Sequence, residues 1–483
     1  MKHFLILLFF TLNIFMVQGQ PLNVTSFGAV GDGKTDNTLA IQQAINEAAA
    51  KNTTLVFPTG HFLSGMIHLK SNLCIQLEQG AIWQATPDLE LFPEIRSGAD
   101  LSQEGGYTMS RRAFIFADEV SNVTLCGQGL IYPSGDHHEA FPMDEKNGAM
   151  RPYGLYFRNS KNITIKDLEL KSSAFWMLRA YLCDDVTIQN INLFNHANTN
   201  NDGIDIVDCH RVKISGCTID SSDDAICLKS EAPRGTHDVV ISDCIVSSTA
   251  GYIKLGTGSF GSFKRIAVSN CVLRPTRAKE IIHVLGHAQG ITGLSLMSVD
   301  GAAIENISFN NIIMEGMLTP IFVRLGNRHK VTHQEYSKSP ISPGTIRNIH
   351  YQNITASNVG PIPVNITGYP GHYVEGLSIS HAKFEYAVAG SKKDLQTPVA
   401  ENSNWYPYPG MYLTNLPASG MYLRHVKHVW LDHVNFMPAP DDPRPCMHLE
   451  DVINFSSQQT TVNHQLLKPE KDLTISDSEA INF

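Results

Sequence analysis

The sequence predicts an all-β chain wound into a right-handed parallel β-helix, a solenoid capped at its N-terminal end by one helix. Three observations carry this expectation. Short apolar segments of one shape recur, each an alternation of β-branched residues broken by Asn, Asp or Gly. The segments starting at Val186, Val212, Val239 and Ile266 are 26, 27 and 27 residues apart. Cys217, Cys244 and Cys271, in "ISGC", "ISDC" and "VSNC", keep a constant spacing of 27. Alternating strands that repeat at one period point to coils of a solenoid rather than to a sandwich.

At the N-terminus, Lys2 and His3 precede the apolar run "FLILLFFTLNIFMV", with Val17-Gln18-Gly19 after it. This is the pattern of a secretory signal peptide, residues 1–19, too short to span a membrane comfortably. Residues 20–483 are then expected to form a single β-helix domain, exported to the periplasm or secreted, with no membrane span. Next comes "TDNTLAIQQAINEAAAKN". Asp36 is its expected N-cap, and Ile41, Ile45, Ala48 and Ala49 make an apolar stripe at helical spacing. An open solenoid end needs covering, and this helix supplies the cover.

Repeat segments follow: "NVTLCGQGLI" from Asn122, "NITIKDLEL" from Asn162, "VTIQNINL" from Val186 and "VKISGCTI" from Val212. The series runs on to "NISFNNIIM" from Asn306, "NIHYQNITA" from Asn348 and "LSISHAKF" from Leu377. In such strands every second side chain faces inward. Sequons such as Asn162-Ile163-Thr164 and Asn353-Ile354-Thr355 fall inside this repeat and read as turn-and-strand chemistry. The nine cysteines show no CxxC or Cys/His ligand spacing and read as buried apolar fillers rather than disulfides or metal ligands.

The 42% hydrophobic and 17% charged residues suit an ordered globular protein, and a net charge of −9 argues against nucleic acid as partner. The stretch "NTNNDGIDIVDCHRVKISGCTIDSSDDAICLKS" sets Asp202, Asp205, Asp208, Asp220 and the pair Asp223-Asp224 at strand ends. Residues one coil apart stack, so Asp202 and Asp223-Asp224 should project together from neighbouring coils and raise each other's pKa. Such clusters serve glycosidic hydrolysis or calcium binding. Asp208 and Asp220 read as partners for turn amides between coils.

These residues resemble glycoside hydrolase family 28, the polygalacturonase-like pectinases. "FGAVGDGKTDNTLAIQQAI" and "AFWMLRAYLCDDVTI" look like family segments, "NNDGID" is similar to its NTDGxD motif and "SSDDAICLKS" to its DDCIAIKS motif. The resemblance implies an inverting hydrolase of polygalacturonate or rhamnogalacturonan-like chains. Asp223 would be the general acid, Asp202 and Asp224 would activate water, and Asn200 would position substrate. No cofactor or metal is implied, the only partner is a polysaccharide or oligosaccharide, and a monomer is expected.

Two departures stand out. Where the family carries GHG, this chain has "TAGYIKLGTGS", with Gly251 at the His position, and "GITGLSLMSVDG" lacks the family's Arg and Lys of RIK. An anionic sugar would need other cations; the candidates are Lys254, Arg324 and Arg328, then Arg111-Arg112. Without them a neutral sugar such as rhamnose or galactose would fill the subsite. The inserts "RLGNRHKVTHQEYSKSPISPG" and "ENSNWYPYPGMY" are expected to wall the cleft, since aromatic faces stack on sugars. The rival expectations are a Ca²⁺-dependent polysaccharide lyase and a non-catalytic glycan-binding protein.

Overall fold

The computed structural model describes residues 20–95, 103–104, 107–108, 110–143, 150–283, 285–328, 343–396, 398–402, 406–408 and 416–483. The predicted signal segment 1–19 and residues 329–342 of the first insert lie outside the described residues, as do 403–405 and 409–412 of the second.

The chain is a parallel β-helix. Among the described residues thirty-six strands join one sheet, in which strands on successive coils pair in parallel; the short pairing of Thr461–Val462 with Gln465–Leu466 is antiparallel. One inward row shows why the repeat folds this way. Val123, Ile163, Val186, Val212, Val239 and Ile266 stand in register on successive coils. Ile307, Ile349, Leu377, Val429 and Phe455 continue the row, and all are buried. Each buried aliphatic side chain contributes roughly 1.5–3 kcal/mol by leaving water.

The predicted helix is α1 (Thr38–Ala50). Its buried residues are Ile41, Ala44, Ile45 and Ala48, with Ala49 only partly covered. Asn37, not Asp36, is the N-cap residue, although Asp36 Oδ1 accepts the Thr38 N–H at 3.0 Å.

The turns use a second row. Asn72, Asn122 and Asn162 have φ of 60°, 60° and 55°, the left-handed region that Asn tolerates better than most residues. Their amides stack: Asn122 Nδ2 donates to Asn72 Oδ1 and Asn162 Nδ2 to Asn122 Oδ1, both at 2.8 Å. Asn353 likewise donates to Asn310. The sequon asparagines therefore do turn-and-strand work. None of the nine cysteines is in a disulfide, and Cys217, Cys244 and Cys271 are buried.

One outward sheet face concerns function. Its central strands are β1 (Tyr153–Arg158), β2 (Leu178–Tyr181), β3 (Ile204–Val207), β4 (Ile226–Ser230), β5 (Gly251–Ser259), β6 (Thr292–Ser298) and β7 (Thr319–Leu325). Among the described residues no helix is long and apolar enough to cross a membrane.

Candidate active site

Register assembles the carboxylates. Ile204 of β3 lies opposite Ile226 of β4, and Gly203 N–H donates to the Asp224 carbonyl at 2.9 Å. Asp202 therefore stacks on Asp224, not on Asp223. The next coil follows suit, because Ala225 N–H donates to the Gly251 carbonyl at 2.8 Å. Asp223 sits at the bend before β4, where its carbonyl accepts Ser221 Oγ at 2.8 Å and Ser248 Oγ at 2.7 Å. Asp202, Asp223 and Asp224 are only 3%, 7% and 2% exposed.

So many buried acids require counter-charges. Lys229 Nζ lies 3.7 Å from Asp202 and 3.4 Å from Asp205, with the Trp176 ring beside it at 4.3 Å. Lys254 Nζ donates to Asp224 Oδ2 at 2.5 Å. Two further side chains reach in from loops. His283 Nε2 is 3.4 Å from Asp223 Oδ2. The Tyr408 hydroxyl lies 3.1 Å from Asp223 Oδ1 and 3.0 Å from Asp224 Oδ1. Its ring packs on Ala250, Ile291 and Leu318, and Lys254 Nζ sits 4.9 Å from the ring centre.

The environments separate the acids. Burial, then the charges of Asp205, Asp223 and Asp224, pushes the Asp202 carboxyl well above the ordinary carboxylate range against the pull of Lys229. Burial pushes Asp223 up as well, but His283, Lys254, Lys229 and the Tyr408 hydroxyl outweigh it and hold the group low. Burial pulls the Lys254 ammonium down, yet Asp224 and its neighbours leave it raised. The surroundings thus move the proton affinities of Asp202 and Asp223 in opposite directions.

Gly251, at the position of the family's histidine, is fixed by the same stacking. A Cβ there would meet Asp224 Oδ1 at 2.5 Å, so Asp224 occupies the space a side chain would need. Among the other predicted residues, Asn200 sits at the rim with φ 50°, its Oδ1 accepting Arg151 Nη2 at 3.0 Å. Lys254 is in the cluster. Arg324 is buried on β7, two coils beyond β5, donating to Thr367 Oγ1 at 3.1 Å and to the carbonyls of Gly368 and Asn402. Arg328 donates to Asp300 Oδ1 at 2.7 Å and lies against the Tyr406 ring. Both guanidinium groups are engaged in holding loops. Arg111 and Arg112 pair with Glu94. Asp208 accepts the amides of Glu231 and Ala232 at 2.8 and 2.9 Å, and Asp220 the amide of Arg277 at 2.9 Å, so both tie turns between coils as expected.

Sequence reasoning missed Lys229, Trp176, His283 and Tyr408 as members of the site. Lys229 and Trp176 lie inside segments already singled out, "SSDDAICLKS" and "AFWML". Tyr408 lies in the aromatic insert, where nothing distinguishes it from Tyr406. His283 follows Asp223 by 60 residues, outside the repeat, and no sequence signal marks it.

Acidic side chains whose environments split their affinities for the proton, set on the outer face of a parallel β-helix, fit a carbohydrate-cleaving β-helix. The family "Glycosyl hydrolases family 28" matches residues 48–403. The chain belongs to this family and is a glycoside hydrolase. It is similar to "Probable polygalacturonase" of Vitis vinifera, at 26% identity over 402 residues, 77% of this chain and 75% of that one. It is similar also to "Exopolygalacturonase" of Zea mays, at 23% over 398 residues, 77% and 86% of the two chains. Among solved structures, the Thermotoga maritima exopolygalacturonase shares the fold with a TM-score of 0.64, 23% identity and coverage of 77% of this chain and 88% of that one. The Yersinia enterocolitica family 28 exopolygalacturonase does so with a TM-score of 0.59, 17% identity and coverage of 96% and 78%.

Proposed function

We propose that the protein is an exported, inverting hydrolase of pectin-type chains that works without a metal or cofactor. The observation that carries this reading is the grouping of Asp202, Asp223 and Asp224 on adjacent coils, buried together, with the surroundings raising the proton affinity of Asp202 and lowering that of Asp223. Relatives named as polygalacturonases support pectin as the substrate class. In this reading Asp223 protonates the glycosidic oxygen, and Asp202 and Asp224 hold a water on the opposite face of the sugar. Asp224 takes the water's proton as the anomeric carbon inverts. The acid role of Asp223 rests on its place in the motif. Asn200 at the rim and Lys254 beside Asp224 are the residues proposed to meet the sugar, while Arg324 and Arg328 shape the loops around it.

Exo action is favoured by one feature. The outward row leading up to Asp205, namely Phe116, Tyr156 and Arg179, is in register and buried, which closes that end of the face.

A panel of polygalacturonate, rhamnogalacturonan and neutral side-chain fragments, with the freshly released anomer followed by NMR, tests this reading. Asp223→Asn should lower turnover by roughly 10²–10⁴-fold, with the melting temperature retained. On a nitrophenyl glycoside, whose leaving group needs no acid, it should keep most activity. Full activity of Asp223→Asn on the polysaccharide would remove Asp223 as the acid, and a product of retained configuration would exclude inversion.

A further inference from the structure

We propose that Tyr408 is a proton relay that returns to Asp223 the proton Asp224 takes from water. The proposal rests on the roles assigned above. Each inverting turnover leaves the base protonated and the acid bare, so a second turnover waits on the transfer of one proton between them. In an open cleft bulk water performs that exchange. Here the two carboxyls are 7% and 2% exposed and Tyr408 is 2% exposed.

The geometry supplies the alternative route. The Tyr408 Oη lies 3.1 Å from Asp223 Oδ1 and 3.0 Å from Asp224 Oδ1. A hydroxyl carries one proton, so it donates to one carboxylate and accepts from the other only if that other is a carboxylic acid. Both contacts are therefore satisfied together when one of the two acids holds a proton, the condition before and after each turnover. The remaining oxygens face other groups. Lys254 donates to Asp224 Oδ2 at 2.5 Å. Near Asp223 Oδ2 stands His283 Nε2, whose Nδ1 accepts the Leu285 N–H at 3.2 Å, which fixes the ring proton on Nε2. This leaves the two Oδ1 atoms as the pair turned toward the phenol.

The step balances. Asp224 Oδ1 gives its proton to Tyr408 Oη as the Oη proton passes to Asp223 Oδ1. Asp224 ends as a carboxylate, Asp223 as the acid, and the tyrosine with the one proton it began with. Burial, then the charges of Asp223, Asp224 and Asp202, pushes the phenol well above its ordinary range. A phenolate is therefore not a resting point, and the two protons move together. The apolar seat on Ala250, Ile291 and Leu318 keeps the ring in place for this.

Tyr408→Phe removes the hydroxyl and keeps the ring. With de-esterified oligogalacturonides as probe, rapid-quench measurement should show a first turnover close to the wild-type rate. The steady-state kcat should fall by roughly 10–100-fold, as for loss of a positioned proton carrier. Added imidazole or formate should restore kcat in proportion to its concentration, while wild type stays insensitive to it. Tyr408→His, which can still accept and donate, should recover part of what Tyr408→Phe loses. A first turnover slowed as much as kcat, without rescue by buffer, would make Tyr408 a positioning residue and overturn the relay. An unchanged kcat would do the same, as would Tyr408→His no better than Tyr408→Phe in folded protein. Wild type that leaves every pectic fragment intact would sink the hydrolase reading and the relay with it. Wild-type activity with an unaffected variant would sink the relay alone.

Discussion

Among the lysine–carboxylate pairs that link adjacent coils, one at the surface and one in the interior do different things. Lys264 and Glu305 stand in register on the outer surface, 3.3 Å apart, with side chains 33% and 29% exposed. Lys254 and Asp224 are 2.5 Å apart, with side chains 4% and 3% exposed. Both pairs bridge neighbouring coils, although Lys264 faces Glu305 directly while Lys254, in register with Cys227, reaches back to Asp224. The larger difference is water. At the surface it screens the charges, and such a pair is worth little. Inside, each charge has lost its hydration, so the partner becomes necessary rather than helpful. The buried pair also belongs to a set with Asp202, Asp205, Asp223 and Lys229, whose charges help to raise the proton affinity of Asp202 and to lower that of Asp223.

The strongest way to break this comparison is Lys254→Ala. Leaving Asp224 buried without its cation should cost about 3–5 kcal/mol, read as a shift in the denaturant midpoint. A change below about 1 kcal/mol would show that the buried pair behaves like a surface one.

Asp208 sharpens the comparison, because backbone amides and the Ser230 hydroxyl hold it in place of a lysine. Burial raises its carboxyl to about 7, against the lowering by those hydrogen bonds. Between the ordinary Asp value of about 3.9 and that raised value, the folded protein keeps a proton that the unfolded chain has lost. Stability from this group is therefore full at the acid end and falls as pH rises through the window, by at most about 1.4 kcal/mol per pH unit. Asp208→Asn should flatten the dependence of the denaturation midpoint on pH between 4 and 7. An unaltered slope would place the proton elsewhere.

The smallest effect belongs to Lys264→Ala, expected below about 1 kcal/mol and smaller still in high salt. A larger loss would mean that the stacked surface pairs act as a network.

The coil was legible because a solenoid repeats its instructions. Val186, Val212, Val239 and Ile266 each fill the same inward place, so the 26- and 27-residue steps read directly as register. The helix was legible from its stripe, though its cap fell at Asn37 instead of Asp36, since the cap depends on backbone angles and not on which acid is nearest. The aspartates were legible from spacing together with motif resemblance. Their pairing was not, because the coil there advances by 22 residues, which sets Asp202 over Asp224.

What the sequence by itself determined is the periodic part: parallel coils, an apolar interior, turns built on asparagine, and acids gathered at the strand ends of one face. Those follow from local alternation and a fixed period, which any window of the chain carries. Only the tertiary structure decided which groups surround the acids. His283 and Tyr408 come from loops outside the repeat, Lys229 and Lys254 turn toward the carboxylates, and Arg324 and Arg328 are drawn into holding loops. The physical reason is that proton affinity and charge pairing depend on distance and burial in space, and neither is encoded by separation along the chain.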